Sequence, residues 1–99
     1  MHVISTSRLK SYFQLYPNAE AALRTWLKLT TQANWKNLIE VRKTFPTADL
    51  VGNLTVFNIA GNHYRLITYI DYQNKKVFIR EFLTHSQYDK NKWKQDPWF

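Results

Sequence analysis

Ninety-nine residues allow one domain around one hydrophobic core and leave no room for a second. Fourteen Lys and Arg against seven Asp and Glu give a formal charge of +7 and a pI near 9.8; the natural partners are nucleic acid, an acidic protein or an anionic membrane, unless the charge serves only solubility. The absence of cysteine excludes disulfides, thiolate metal sites and cysteine nucleophiles, and is compatible with a reducing cytoplasm.

The opening residues, MHVISTSRLK, carry no apolar leader core, and no run approaches the ~20 apolar residues of a spanning helix. The chain therefore reads as soluble, unexported and cytoplasmic, without a membrane partner. An aromatic content of 16% with two glycines and three prolines belongs to a folded domain, not to a basic disordered tail.

His2 to Ile4 is a short strand candidate, and Ser5, Thr6 or Ser7 can cap a helix in which Leu9, Tyr12, Phe13 and Tyr16 fall at helical spacing until Pro17. Ala19, Ala22, Leu23, Trp26, Leu27 and Thr30 then form a continuous stripe, with Glu20, Arg24 and Lys28 on the other side. Asn37 with Glu40 resembles a capping box ahead of a third helix, in which Leu38, Val41, Arg42 and Phe45 are spaced helically up to Pro46.

From Asp49 the period changes to two. Gly61-Asn62 is a two-residue turn sequence, which pairs Ala60 with His63 and Asn58 with Arg65. If Asn74-Lys75 closes a second hairpin, Gln73 faces Lys76 and Tyr69 faces Arg80. One sheet face then carries Leu54, Val56, Asn58, His63, Arg65, Ile67, Tyr69, Phe78, Arg80 and Phe82. The other carries Phe57, Ile59, Tyr64, Leu66, Ile70, Tyr72, Val77, Ile79 and Leu83; being almost wholly apolar, it should pack on the helices. Thr84 with Gln87 is a second capping pattern, placing His85 and Tyr88 on one side of a short helical turn. The stretch NKWKQDPWF holds no clear element.

Arg65 and Arg80 are unusual inside strand patterns. An Arg fork can grip a phosphate through paired donors and stabilise charge on phosphoryl oxygens, although either residue can equally pair with Asp71 or Glu81 for structure alone. Two on one face beside Asn58 favour a phosphate-handling surface. His85 is the best group for moving a proton near neutral pH, ahead of His63 and His2, or else a structural histidine. Tyr88 can stack on an unpaired base or simply cover the core edge. Lys90, Lys92 and Lys94 form a basic strip suited to backbone attraction, or a plain solvated tail. Glycine-rich phosphate loops, HExxH, GxSxG and paired carboxylates at metal-binding spacing do not occur, so a nuclease built on this chain should work without a metal or other cofactor.

The stretch FNIAGNHYRLITYIDYQNKKVFIREFLTHSQYDK resembles the HigB toxins of bacterial type II toxin–antitoxin modules, within the RelE-like mRNA interferases. Their pattern, NxxGNxYRL, then IR, then THxxYD, is met by Asn58, Gly61, Asn62, Tyr64, Arg65 and Leu66, by Ile79 and Arg80, and by Thr84, His85, Tyr88 and Asp89. The likeness extends upstream to YPNAEAALRTW and FPTADLVG. It implies a single RelE-like α+β domain over residues 1–99, with N-terminal helices on a small antiparallel sheet and a short C-terminal helix. It also implies cleavage of mRNA, usually on the ribosome, and neutralisation by a HigA-like helix-turn-helix antitoxin in a hetero-oligomer. Arg65 and Arg80 would bind the phosphate and stabilise the transition state, His85 would transfer a proton, and Tyr88 would place the nucleotide or assist. Asn58, Asn62, His63, Lys90, Lys92 and Lys94 would contact RNA. The competing reading is a non-catalytic module binding RNA or an acidic partner through the same face.

Overall fold

A computed structural model describes residues 1–99. The period-two stretches and the first strand join into one five-stranded sheet, ordered β1-β5-β4-β3-β2, from β1 (His2–Ile4), β2 (Asp49–Val51), β3 (Leu54–Ile59), β4 (Tyr64–Asp71) and β5 (Lys76–Thr84). Only β1 runs parallel to its neighbour, β5. The helices α1 (Thr6–Leu15), α2 (Glu20–Gln32) and α3 (Leu38–Thr44) precede the main hairpins, and α4 (His85–Asp89) follows them directly, giving the expected α+β architecture.

The local signals for the helices act largely as the spacing predicts. Leu23, Trp26 and Thr30 are the buried stripe of α2, and Glu20 pairs with Arg24 at 2.7 Å on its outer side. The Asn37 side chain accepts from the Glu40 N–H at 3.1 Å, while Glu40 reaches back to the N–H of Lys36, one residue before the capping position. The helix α1 starts differently: Ser5 lies in the left-handed region and supplies no side-chain cap. Leu9 and Phe13 from α1, Leu23 and Trp26 from α2 and Val41 from α3 meet Phe57, Ile59, Leu66, Val77 and Ile79 from the sheet in the main core.

The first hairpin has the expected register, with Asn58 opposite Arg65; regular pairing ends at Ile59–Tyr64, and both Ala60 and Gly61 have positive φ. The second differs. The side chain of Asp71 accepts from both the N–H and the amide of Asn74, and this local turn lengthens the connection to four residues, so that Asp71 pairs with Lys76 and Tyr69 with Phe78. A shift of two preserves the facing of side chains. A β-bulge then intervenes, because Thr68 pairs with Ile79 but Ile67 with Glu81, leaving Arg80 as the extra residue. Beyond it the alternation reverses: Phe82 enters the main core and Leu83 turns to the opposite side, the reverse of the expected placement.

That opposite side is not open. Leu54, Val56 and Ile67 form a second apolar cluster with Trp93, packed by Tyr69, Leu83, Tyr88 and Phe99. The segment without a predicted element thus forms a strap across this face, beginning as a 3₁₀ turn over Lys92–Gln95. Its far end is held where Asn53 donates to the Phe99 carbonyl through its backbone N–H and its amide, at 3.3 and 3.0 Å. Gly52, at φ +60, makes this approach possible, since a Cβ there would sit 2.9 Å from the Phe99 ring. Gly52→Ala should therefore cost about 1–2 kcal/mol from the left-handed backbone alone, with Phe99 displaced; urea unfolding would measure the loss, and wild-type stability would show that the strap does not rest on this turn.

Candidate active site

The proposed site residues gather at two places on the strap side of the sheet. One is the corner where the β3–β4 turn meets the start of α4. The Thr84 side chain accepts from the Gln87 N–H and the Gln87 side chain accepts from the Thr84 N–H, the capping box that launches α4. The His85 N–H donates to the His63 carbonyl at 3.0 Å, tying the helix start to the turn. His85 Nδ1 lies 3.0 Å from the Asp89 carboxylate, one helical turn on. With Nδ1–H directed at Asp89, the imidazole keeps Nε2 as its free acceptor.

Arg65 lies beneath this corner and is only 8% exposed. One terminal nitrogen donates to the carbonyls of Asn62 and Tyr64, at 3.2 and 3.1 Å, and the other donates to the Asn62 side-chain oxygen. Its guanidinium carbon stands 5.5 Å from the centre of the Tyr88 ring. Two of its five N–H groups remain unengaged. Asn62, expected to contact RNA, instead places both its oxygens on Arg65. Tyr88 is half-buried, and burial together with the negative charge of Asp49 raises its phenol above the ordinary value, so it is a donor at neutral pH.

Arg80 occupies the second place. Arg65 pairs with Leu83, so Arg80 enters the strand three residues away, about 10 Å along it. Its Nε and one terminal nitrogen each donate to Asp96 at 2.9 Å, and the Trp98 ring lies 3.9 Å from its guanidinium carbon. The expectation that the two arginines grip one phosphate together is therefore not met: each has its own partners, and neither Asp71 nor Glu81 is the paired carboxylate. What does hold is their facing, since both project to the side away from α1–α3.

Between the two places, Glu81, Leu83, Gln87, Lys90, Lys92 and Trp93 line a shallow cleft of about 280 Å³. Lys90 and Lys92 bring the anticipated positive charge to it, while Lys94 lies over Trp93 at 5.7 Å. Asn58 is half-buried in β3 opposite Arg65, and His63 is exposed on the turn. No three His, Asp or Glu side chains converge. Asp89, Glu81, Asp96 and both late tryptophans were not picked out as site residues by sequence reasoning. For Asp89 the signal was present, four residues after His85 on a helix; for Asp96 there was none, because its partner is 16 residues distant.

The Arg80–Asp96 pair makes the strap sensitive to acid. Burial acts to raise the Asp96 carboxyl, but the Arg80 hydrogen bond, the Trp98 N–H and the charges of Arg80 and Arg8 outweigh it and hold the group below its usual range. A depressed folded value means that its stabilisation is complete above the unfolded carboxylate value of about 4 and is lost as pH falls through the folded one. Glu81, raised by burial and by Asp96, acts in the opposite sense and is not a source of acid loosening. Tryptophan emission should shift as Trp98 is released below about pH 4, and Asp96→Asn should remove that transition; an unchanged acid transition in the variant would assign it elsewhere.

Comparison with known proteins agrees with this outline. Residues 19–91 match the model of the HigB toxin family, described as the RelE-like toxic component of a toxin–antitoxin system. An mRNA interferase HigB of Escherichia coli is 30% identical over 93 residues, covering 91% of this chain and 90% of the relative. An mRNA interferase HigB of Shigella flexneri is 29% identical over 92 residues, covering 90% and 88%. Helices on one side of a mostly antiparallel sheet, with a basic corner at its end, are thus those of a RelE-like toxin. The chain belongs to the HigB toxin family, and the counterpart of such a toxin is an antitoxin.

Proposed function

We propose that this toxin is an mRNA endoribonuclease whose reaction centre is the corner of His85, Tyr88 and Arg65. The observation that carries this reading is the His85–Asp89 pair: it orients an imidazole with a free Nε2 on the same short helix as a protonated phenol, whose ring in turn lies over a buried guanidinium. In the reaction, the 2′-hydroxyl of one nucleotide gives its proton to His85 Nε2 as its oxygen bonds to the adjacent phosphorus. The bond from phosphorus to the 5′-oxygen breaks, and that oxygen takes a proton from the site, leaving a 2′,3′-cyclic phosphate and a 5′-hydroxyl end. Tyr88 donates a hydrogen bond to the phosphate or leaving oxygen. Arg65 holds the Asn62–His63 turn and supplies fixed positive charge.

Arg80, with three N–H groups left after Asp96, binds a second phosphate farther along the strand, and Lys90, Lys92 and Lys94 attract the backbone between. Asn58 and His63 flank the RNA at the corner. Protons move through side chains, with no metal in the mechanism. A site this sparse depends on a substrate presented in reactive geometry, which the ribosome would provide in the cytoplasm. A helix-turn-helix antitoxin of the HigA type neutralises the toxin in a hetero-oligomer.

Mapping transcript 5′ ends after brief expression tests the reading. Discrete new ends are expected, each cut leaving a 2′,3′-cyclic phosphate on one fragment and a 5′-hydroxyl on the other, also when purified toxin cuts ribosome-bound mRNA. Growth arrest with unchanged transcripts would mean a binding module, and 5′-phosphate with 3′-hydroxyl ends would mean attack by water and overturn the 2′-hydroxyl mechanism.

A further inference from the structure

The largest cleft lies at the end of the strap face remote from His85. It measures about 560 Å³, within the roughly 300–1,000 Å³ of small-molecule sites, and is lined by Asn53, Tyr69, Asp71, Phe78, Pro97 and Trp98. Three of these are aromatic: Tyr69 and Phe78 sit opposite each other on β4 and β5, and Trp98 meets both edge-on, with centroids at 5.4 and 5.2 Å. Trp98 is 39% exposed, an unusual placement for an indole that also shields a half-buried ion pair. The same ring carries the Arg80 guanidinium at 3.9 Å, so the aromatic wall and a phosphate-binding group are joined by one side chain.

We infer that this cleft is a nucleobase subsite that selects guanine, with the phosphate of that nucleotide on Arg80. The inference rests on the reading of the chain as an RNA-cutting toxin and names a specificity element for it. Aromatic walls accept any base, so the selection must come from the polar groups. Asp71 presents two carboxylate oxygens side by side, and its hydrogen bonds from Asn74 leave lone pairs on each. Those bonds also hold its carboxyl below the usual range, so the group is an acceptor at any physiological pH. Asn53 uses its amide to donate to the Phe99 carbonyl, which leaves its side-chain oxygen as a further acceptor.

The cleft is thus rich in acceptors, and a carboxylate in it would repel a phosphate. Guanine is the base whose pairing edge offers adjacent donors, the ring N1–H and the exocyclic amine, in the spacing of a carboxylate. Adenine and cytosine offer one exocyclic amine beside a ring acceptor, and uracil one ring N–H between two carbonyls. Their acceptors would face Asp71 unpaired.

Two measurements on the full chain test this. Titrating the four 5′-mononucleotides against tryptophan emission should show guanosine monophosphate bound about tenfold more tightly than the others, as a paired carboxylate contact supports. Asp71→Asn keeps an oxygen for the Asn74 turn but should abolish the preference. Equal affinities, absence of binding, or a preference that survives Asp71→Asn overturns the inference. Transcript-end mapping should show guanine enriched at one fixed offset from the cut, with the enrichment lost in Asp71→Asn. If the wild type cuts without that enrichment, or the variant retains it, the cleft does not read guanine. If the wild type cuts nothing, the nuclease reading fails, and the mononucleotide titration still decides the cleft.

Discussion

Replacing His85 with alanine should lower mRNA cleavage about 10²–10⁴-fold, the span ordinarily lost with a general acid–base group. The fold should survive, because the imidazole is 45% exposed and its one ion pair is with the still more exposed Asp89; such pairs are worth about 1 kcal/mol or less. The capping box of α4 belongs to Thr84 and Gln87 and does not involve the His85 side chain. Single-turnover cleavage of ribosome-bound mRNA, with circular dichroism as the folding control, makes the measurement. Asp89→Asn should give a smaller loss, since it frees the imidazole to rotate and change tautomer without removing it. Full activity in a folded His85→Ala variant would move proton transfer to another group, with Glu81, the carboxylate lining the adjoining cleft, as an alternative.

Trp93→Ala should be the most damaging substitution to stability outside the main core. The indole is 4% exposed, stacks on Tyr88 at 5.0 Å with 15° between planes, and meets the edge of Phe99 at 5.7 Å. Its Nε1 donates to the Tyr88 carbonyl at 3.1 Å, anchoring the end of α4. Truncating a buried tryptophan typically costs about 3–5 kcal/mol, against a total of about 5–15 for a domain. A fall in Tm on the order of 20 °C follows for a chain of this length. Trp98→Ala should cost far less, as that ring is partly exposed. A Trp93→Ala melt within a few degrees of wild type would show the strap to be an appendage and not part of the fold. At a temperature where Trp93→Ala is still folded, activity should also fall, because Tyr88 loses the ring that fixes it above Arg65.

Strap and corner are coupled in this way: the segment that closes the second apolar cluster also orients two of the proposed site groups, Tyr88 through Trp93 and Arg80 through Asp96. This explains why apolar Leu54, Val56 and Ile67 share a face with charged residues. They are the floor on which the strap lies, not an exposed RNA platform.

The sequence by itself determined what depends on neighbours within a turn or a hairpin. The α2 stripe, the Asn37 and Thr84 caps, the Asn58–Arg65 register and the adjacency of His85 and Tyr88 all follow from residues a few positions apart, where periodicity and hydrogen-bond chemistry are local. The family motif pointed to the toxin class for the same reason, since its residues keep a fixed order and spacing. Only the tertiary structure decided the rest. The side chain of Asp71 competed with strand pairing and lengthened the second turn, and the bulge at Arg80 reversed Phe82 and Leu83. The strap separated the arginines by pairing Arg80 with Asp96 and seating Trp98 upon it. The Asp71–Asn74 turn is itself local, but the contacts that hold the strap join groups 16 to 46 residues apart, and such partners are chosen by how whole surfaces pack together.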